Sequence, residues 1–177
     1  MMTFTDEYAS VHHLKDGRTV LLRLLRPSDR DWLLTGFDAL SQESRYRRFF
    51  TAMPRLPSGM LQPLLSVDGW NRVAVVAEGA SDGEPLGIAR FFRLDEDPAA
   101  AEIAVAVADR AQRHGLGELL LSVLDAAALE RGIVKLRAEV LRSNDGMRAL
   151  LRKVYADVEP VSVAGGVVVY EATLGPS

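Results

Sequence analysis

The run Gln112-Arg113-His114-Gly115-Leu116-Gly117 carries the densest chemical signal in the chain. It joins an apolar stretch, Ala101 to Ala108, to an amphipathic one, Gly115 to Arg131. A strand that feeds a glycine turn and opens a helix is a way to build an anion site. The first-turn N–H groups of a helix have no internal acceptors, and the helix dipole adds partial positive charge there. Two glycines let a phosphate approach the main chain closely. The same two glycines could instead only relax a tight strand-to-helix connection, and the bare motif does not separate the two readings.

Other phosphate sites fit less well. A dinucleotide site of the Gly-x-Gly-x-x-Gly kind needs a third glycine, and here Glu118-Leu119-Leu120 follows Gly117. A P-loop needs Gly-Lys followed by Ser or Thr, which is absent. The chain has no cysteine, so disulfides, thiolate metal sites and a cysteine nucleophile are excluded together. His12 and His13 stand in an N-terminal segment without a partner motif, and no metal site is expected.

The bulk composition suits an ordinary globular protein. The 177 residues are 48% hydrophobic and 25% charged, with a formal charge of −3, which argues against a broad nucleic-acid-binding face. Met1 to Ser10 carries Asp6 and Glu7 and no apolar run, so it does not read as a signal peptide. No apolar run approaches the roughly 20 residues that span a bilayer. A single domain over 1–177, with its core at about 18–173 and a cytoplasmic location, is expected. Nothing in the composition separates a monomer from a homodimer.

The elements that would position the glycine turn follow from periodicity. Arg18 to Leu25 reads as a strand closed by Arg26-Pro27, and Ser28 as the N-cap of a helix carrying Trp32, Leu33, Phe37 and Leu40. A second helical piece runs from about Ser41 to Phe50, with Arg45, Arg47 and Arg48 along it, and Gly59 to Leu65 is a short helix. Arg72–Ala77, Leu86–Leu94 and Glu102–Ala108 form an antiparallel meander. The main helix carries Leu116, Leu119, Leu120, Val123, Leu124 and Ala127 on one stripe and ends at Gly132, a left-handed C-cap. Lys135 to Leu141 then returns parallel to the 102–108 strand through a right-handed crossover. Ser143 or Asn144 caps a helix with Met147, Leu150, Leu151 and Val154, and Val158–Val163 with Val167–Thr173 makes a hairpin across Ala164-Gly165-Gly166.

In this setting the chain resembles the GNAT superfamily of N-acetyltransferases. The signature there is [Gln/Arg]-x-x-Gly-x-[Gly/Ala] at a strand–helix junction, and Gln112-x-x-Gly115-x-Gly117 fits it. Val107-Ala108-Asp109 before it, Gly132-Ile133 after the helix, and Asn144 with Met147 beyond the next strand fit as well. More narrowly, Leu40-Ser41-x-x-Ser44-Arg45-Tyr46-x-Arg48-Phe49 and Ala101-Glu102-Ile103-Ala104-Val105 look like the Pat-type bacterial protein lysine acetyltransferases. Those often carry a further regulatory or ligase-like domain. None is expected here, and neither is cyclic-nucleotide control.

The resemblance implies a mixed α/β (α+β) fold. It has a mostly antiparallel twisted sheet of six to seven strands, splayed at the cofactor cleft and flanked by about four helices. It implies acetyl-CoA as cofactor, with its pyrophosphate on the N–H groups of Arg113, His114, Gly115, Leu116, Gly117 and Glu118, and side-chain contacts from Arg113 and His114. The pantetheine arm would pair with the strand from Ile103 through Val105 to Val107, and an N–H near Val105 would polarise the thioester carbonyl. A lysine acceptor is almost wholly protonated at neutral pH, so a base is needed. Glu102, the carboxylate of that strand, matches the position of the Pat-type catalytic glutamate. The bare spacing also allows it to be an outward strand residue or the ion-pair partner of an arginine such as Arg90.

The family's usual tyrosine acid falls here on Leu151, which cannot donate a proton. Tyr155, one turn on, either points to the same side or packs in the core. Asn144 is read both as a contact to the cofactor arm and as a helix cap. Arg45 and Arg48 share a helix face and could shape the acceptor groove or simply form an exposed cationic face. The expected reaction is direct transfer of acetyl from acetyl-CoA to a primary amine, a protein lysine by the narrower resemblance. A small-molecule amine is the alternative acceptor, and a non-catalytic acyl-CoA-binding sensor is the alternative class. No nucleic-acid or membrane partner is expected.

Overall fold

The computed structural model describes residues 1–175. One eight-stranded sheet organises the chain: β1 (Ala9–His13), β2 (Thr19–Leu24), β3 (Arg72–Gly79), β4 (Pro85–Arg93), β5 (Ala100–Val107), β6 (Lys135–Leu141), β7 (Glu159–Ala164) and β8 (Val167–Thr173). Their order in space is β1-β2-β3-β4-β5-β6-β8-β7. All neighbours are antiparallel except β5 and β6. That one parallel pair is joined through α4 (Leu116–Leu129), as a crossover connection requires. The remaining helices are α1 (Arg30–Asp38), α2 (Gln42–Phe49), α3 (Ser58–Leu65) and α5 (Asp145–Val154), with a single 3-10 turn at Asp109–Ala111. No helix among the described residues is long and apolar enough to cross a membrane.

The sheet has one strand beyond the expected range, and there are five α-helices. The extra strand is β1, whose residues alternate between exposed and half-buried and so show no apolar run. It is recruited by pairing with β2, Ala9 opposite Arg23 through His13 opposite Thr19. The start of α1 also differs. Asp29, not Ser28, stands at the N-cap, and it makes no side-chain cap bond. Its carboxylate is taken by the Arg23 guanidinium and by the Arg26 N–H. A buried ion pair outcompetes the local cap.

Two apolar layers cover the sheet. α4 and α5 pack on one face, with Leu116, Leu120, Leu121, Leu124 and Ala128 against Val73, Val75, Phe91, Ala101 and Ile103. The buried stripe of α4 is wider than the sequence pattern because Leu121 and Ala128 also go under. α1 and α3 cover part of the other face through Leu33, Leu61 and Leu65 on Ala74 and Val76. Tyr155 packs into the first layer at 5% exposure, and its hydroxyl donates to Asp125 Oδ1 at 2.9 Å.

Candidate active site

The site is made by a failure of pairing. The parallel ladder between β5 and β6 runs from Ala100 opposite Lys135 to Ile103 opposite Ala138 and stops. Beyond it β5 stays bonded to β4 as far as Val107, while β6 stays bonded to β8 as far as Leu141. The two strands therefore part after Ile103. Ala100 O accepts from Leu94 N, and Ala108 N donates to Leu86 O, both on the β4 side. Main-chain groups alternate in direction along a strand, so Val105 and Val107 turn theirs into the gap. Gln112 Nε2 donates to Val107 O at 3.0 Å and closes off that one carbonyl. The Val105 N–H and C=O and the Val107 N–H have no hydrogen-bond partner among the described residues. Ile103 is the last rung, so the open edge begins after it.

The glycine turn continues this edge. Arg113 has φ of 64° and Gly115 φ of 88°, both left-handed, on either side of His114. Alternating hand turns consecutive N–H groups toward one concavity, a nest for an anion. No N–H of residues 113 through 118 finds an acceptor among the described residues; the first bond of α4 is Leu119 N to Gly115 O. Gly117 is explained by packing, since a Cβ there would stand 2.9 Å from Leu150 Cδ2. Leu116 and His114 are not among the residues that line the adjoining groove. The Leu116 side chain is 1% exposed, and the His114 ring turns to Asp16 at 3.7 Å. Arg113, Gly115, Gly117 and Glu118 line a groove of about 550 Å³ with Val105, Val107, Asn144 and Lys153. Lys153 donates to Glu118 at 2.7 Å on its rim. Asn144 caps α5, its Oδ1 accepting from Met147 N at 3.1 Å, and the residue borders the groove.

Glu102 lies just before the break. Side chains alternate along β5, so Glu102, Ala104 and Ala106 face away from α4. Glu102 opens into a cavity of about 70 Å³ bounded by Arg48 and Phe50 at the end of α2, Glu139 of β6, and Asn144 and Met147 of α5. It is half-buried. Burial, and then the charge of Glu139, raise its pKa above the ordinary glutamate value, while Arg48 and Arg137 pull it back. It does not pair with Arg90, whose guanidinium donates to Leu64 O. Phe50, with φ of 61°, ends α2 in the left-handed region and turns the chain away at the cavity wall.

The two arginines read together on α2 separate in function. Arg45 is a clamp that donates to the carbonyls of Phe37, Asp38, Met53 and Pro54. Arg48 makes no hydrogen bond or ion pair among the described residues and stands where the groove and the Glu102 cavity meet. Glu139 escaped the sequence reading. Its signal was the β6 alternation, with Arg137 and Glu139 set between buried Leu136, Ala138 and Val140. Only the parallel register with β5 turns that polar face toward Glu102.

The comparisons agree with this geometry. Residues 33–155 match the acetyltransferase (GNAT) family. The chain is 33% identical over 145 residues to the acetyltransferase Pat of Mycolicibacterium smegmatis, covering 81% of this chain and 43% of that protein. It is 32% identical over 142 residues to the acetyltransferase PA5475 of Pseudomonas aeruginosa, covering 79% and 76%. The crystal structure of the GNAT domain of S. lividans PAT superposes with a TM-score of 0.88 at 30% identity, covering 97% of this chain and 99% of that one. The chain thus spans less than half the length of the mycobacterial relative. It belongs to the GNAT acetyltransferase family, whose acetyl donor is acetyl-CoA. The residues present fit that donor: N–H groups of residues 113 through 118 without acceptors among the described residues adjoin a groove that Val105 and Val107 of the open strand edge also line.

Proposed function

We propose that this acetyltransferase acts as a single domain that moves acetyl directly from acetyl-CoA to a primary amine, with a protein lysine as acceptor. The observation that carries this reading is that β5 passes from closed ladder to open edge between Ile103 and Val105, beside the Glu102 side chain. The free main chain and the carboxylate therefore meet at one break in the sheet.

In this reading the N–H groups of residues 113 through 118 hold the pyrophosphate. The open edge at Val105 and Val107 holds the pantetheine amides, and Asn144 borders the same path. Acetyl-CoA supplies an activated acyl group when bound. The Val105 N–H is a fixed donor for an acyl oxygen, placed in a gap where it needs no reorganisation. Glu102 accepts a proton from the incoming ammonium, directly or through a water, and its raised pKa brings it closer to the pH at which a base works best. The acid side has no dedicated residue. Leu151 is apolar and 1% exposed, and Tyr155 is committed to Asp125 in the core. A thiol with a pKa of about 8.5 leaves without one. The lysine acceptor is supported by the likeness to Pat-type proteins and by the pair of carboxylates, Glu102 and Glu139, which face an approaching cation.

A panel of lysyl peptides and small amines, followed by free-thiol release from acetyl-CoA, tests the reading. Turnover on lysyl peptides is expected. Acetyl-CoA binding without turnover on any amine would mean a sensor in place of an enzyme.

A further inference from the structure

Arginines withdrawn from solvent in this chain mostly engage three or more acceptors. Arg45 donates to four carbonyls and Arg131 to those of Phe4, Gly69 and Ala127. Arg23 is paired with Asp29 and Glu78. Arg90 and Arg48 break this pattern. Arg90, on β4, is 4% exposed yet donates one bond, to Leu64 O at 3.0 Å, and has no carboxylate partner among the described residues. Arg48 makes no hydrogen bond or ion pair among the described residues, rests 4.8 Å from the centre of the Phe49 ring, and feels the charge of Glu102 only at longer range. A guanidinium carries five N–H donors, and a buried charge ordinarily finds a counter-charge.

No fully sealed side-chain nitrogen or oxygen lacks a partner among the described residues, so the unused donors of Arg90 are not closed off. Arg90 lines a cavity of about 60 Å³ together with Trp32, Phe37, Leu56, Ile88 and Arg48. Arg48 also borders the Glu102 cavity, so the two spaces share a wall. Burial, and then the Arg48 charge, pull Arg90 down to about 9, and it still carries its charge at neutral pH. The volume corresponds to roughly two waters, enough for the three heavy atoms of a carboxylate and too little for a whole metabolite. The sheet register sets the span. Arg90 stands opposite Ala104, two residues from Glu102 along β5, a diagonal of roughly 7–8 Å. One end of the acceptor region is thus anionic, at Glu102 and Glu139. The other is cationic at Arg90, and Arg48 stands between the two, bordering both cavities.

We propose that Arg90 and Arg48 form a carboxylate-binding subsite, and that the favoured acceptor is an amine bearing a carboxylate a short distance from its nitrogen. This rests on the amine-acceptor reading above. The carboxylate comes either from a free amino-acid-like molecule or from an acidic residue beside a lysine in a peptide.

Two matched acceptor pairs test it on the full chain with acetyl-CoA: γ-aminobutyrate against its amide, and a Lys-Glu peptide against the Lys-Gln peptide. The carboxylate member of one pair should have a KM about tenfold lower, which corresponds to about 1.4 kcal/mol. The pair that discriminates identifies the source. Arg48→Gln should bring that KM ratio close to one, as should Arg90→Gln if it folds without its bond to Leu64. Equal KM within both pairs, or a preference that survives Arg48→Gln, overturns the acceptor assignment. A second arm omits acetyl-CoA and follows the Arg90 Nε–H resonance during titration with sodium formate. A saturable shift is expected. A shift without turnover on any amine leaves the subsite standing and removes the acetyl-transfer reading. A shift with turnover but no discrimination overturns the acceptor assignment. No shift and no discrimination overturns the subsite while turnover preserves the transfer reading.

Discussion

Gly115→Ala separates the phosphate reading of the glycine turn from a purely architectural one. Gly115 holds φ of 88°, and the nearest atom to an added Cβ is Lys15 Cε at 3.6 Å, an ordinary contact. The substitution is therefore free of collision and its cost is that of the left-handed backbone alone, about 1–2 kcal/mol. For a chain of this size that lowers Tm by about 2–8 °C. Gly132, at the other end of α4, has φ of 74° and nothing within 4 Å of an added Cβ. Gly132→Ala carries the same kind of strain far from the nest. Both variants should melt earlier by a similar amount. Only Gly115→Ala should lose affinity for CoA, by about tenfold or more, because relief of the strain rotates the N–H groups on either side of residue 115 and breaks at least one charge-assisted bond. Thermal melts and calorimetric titration with CoA give both numbers. If Gly115→Ala melts early and binds CoA as tightly as Gly132→Ala does, the turn is a hinge between strand and helix and not a phosphate cradle.

Other outcomes follow from the same structure. Burial, partly offset by the Tyr155 hydrogen bond, lifts Asp125 to about 7, above its unfolded value of 3.8. A carboxyl raised on folding makes the fold most stable below about pH 4 and loses that stability as pH rises toward 7, on the order of 4 kcal/mol in all. Urea melts should show Asp125→Asn more stable than wild type above pH 7 and no more stable at pH 4. Glu139→Gln removes the second cause of the raised Glu102 pKa, so the acid limb of the kcat/KM profile should move to lower pH. An unmoved limb would mean that the two carboxylates do not sense each other. Arg131→Ala strips the donors from the carbonyls of Phe4, Gly69 and Ala127 and should cost about 3 kcal/mol or more in urea melts.

The segment from β5 to α5 was legible in the sequence because its local signals agree. An apolar strand, a glycine turn, a helical stripe and the Gly132 stop all point to one crossover unit, and the parallel pairing of β5 with β6 follows. β1 was not legible because its residues are recruited by an edge and show no buried face of their own. Ser28 misled because the acidic residue beside it is claimed from afar by Arg23. The cofactor side of the site lies in contiguous sequence, from Val105 to Glu118, so a motif can announce it. The acceptor side is assembled from α2, β4, β5 and β6. Arg48, Arg90, Glu102 and Glu139 come together only through sheet register and the angle of α2. For that reason the sequence pairs Arg90 with Glu102 as easily as it separates them, and it does not distinguish Arg45, a clamp, from Arg48, a free cation.

The central claim is that Glu102, beside the open edge of β5, takes the proton that an amine must lose. The most direct measurement is kcat/KM against pH for the wild type and Glu102→Gln, with a lysyl peptide and thiol release as readout. The account predicts a loss of about 10²–10⁴-fold at neutral pH in the variant, with activity recovering only as the amine itself deprotonates near its usual value of about 10.4. Undiminished turnover of Glu102→Gln at neutral pH would contradict it.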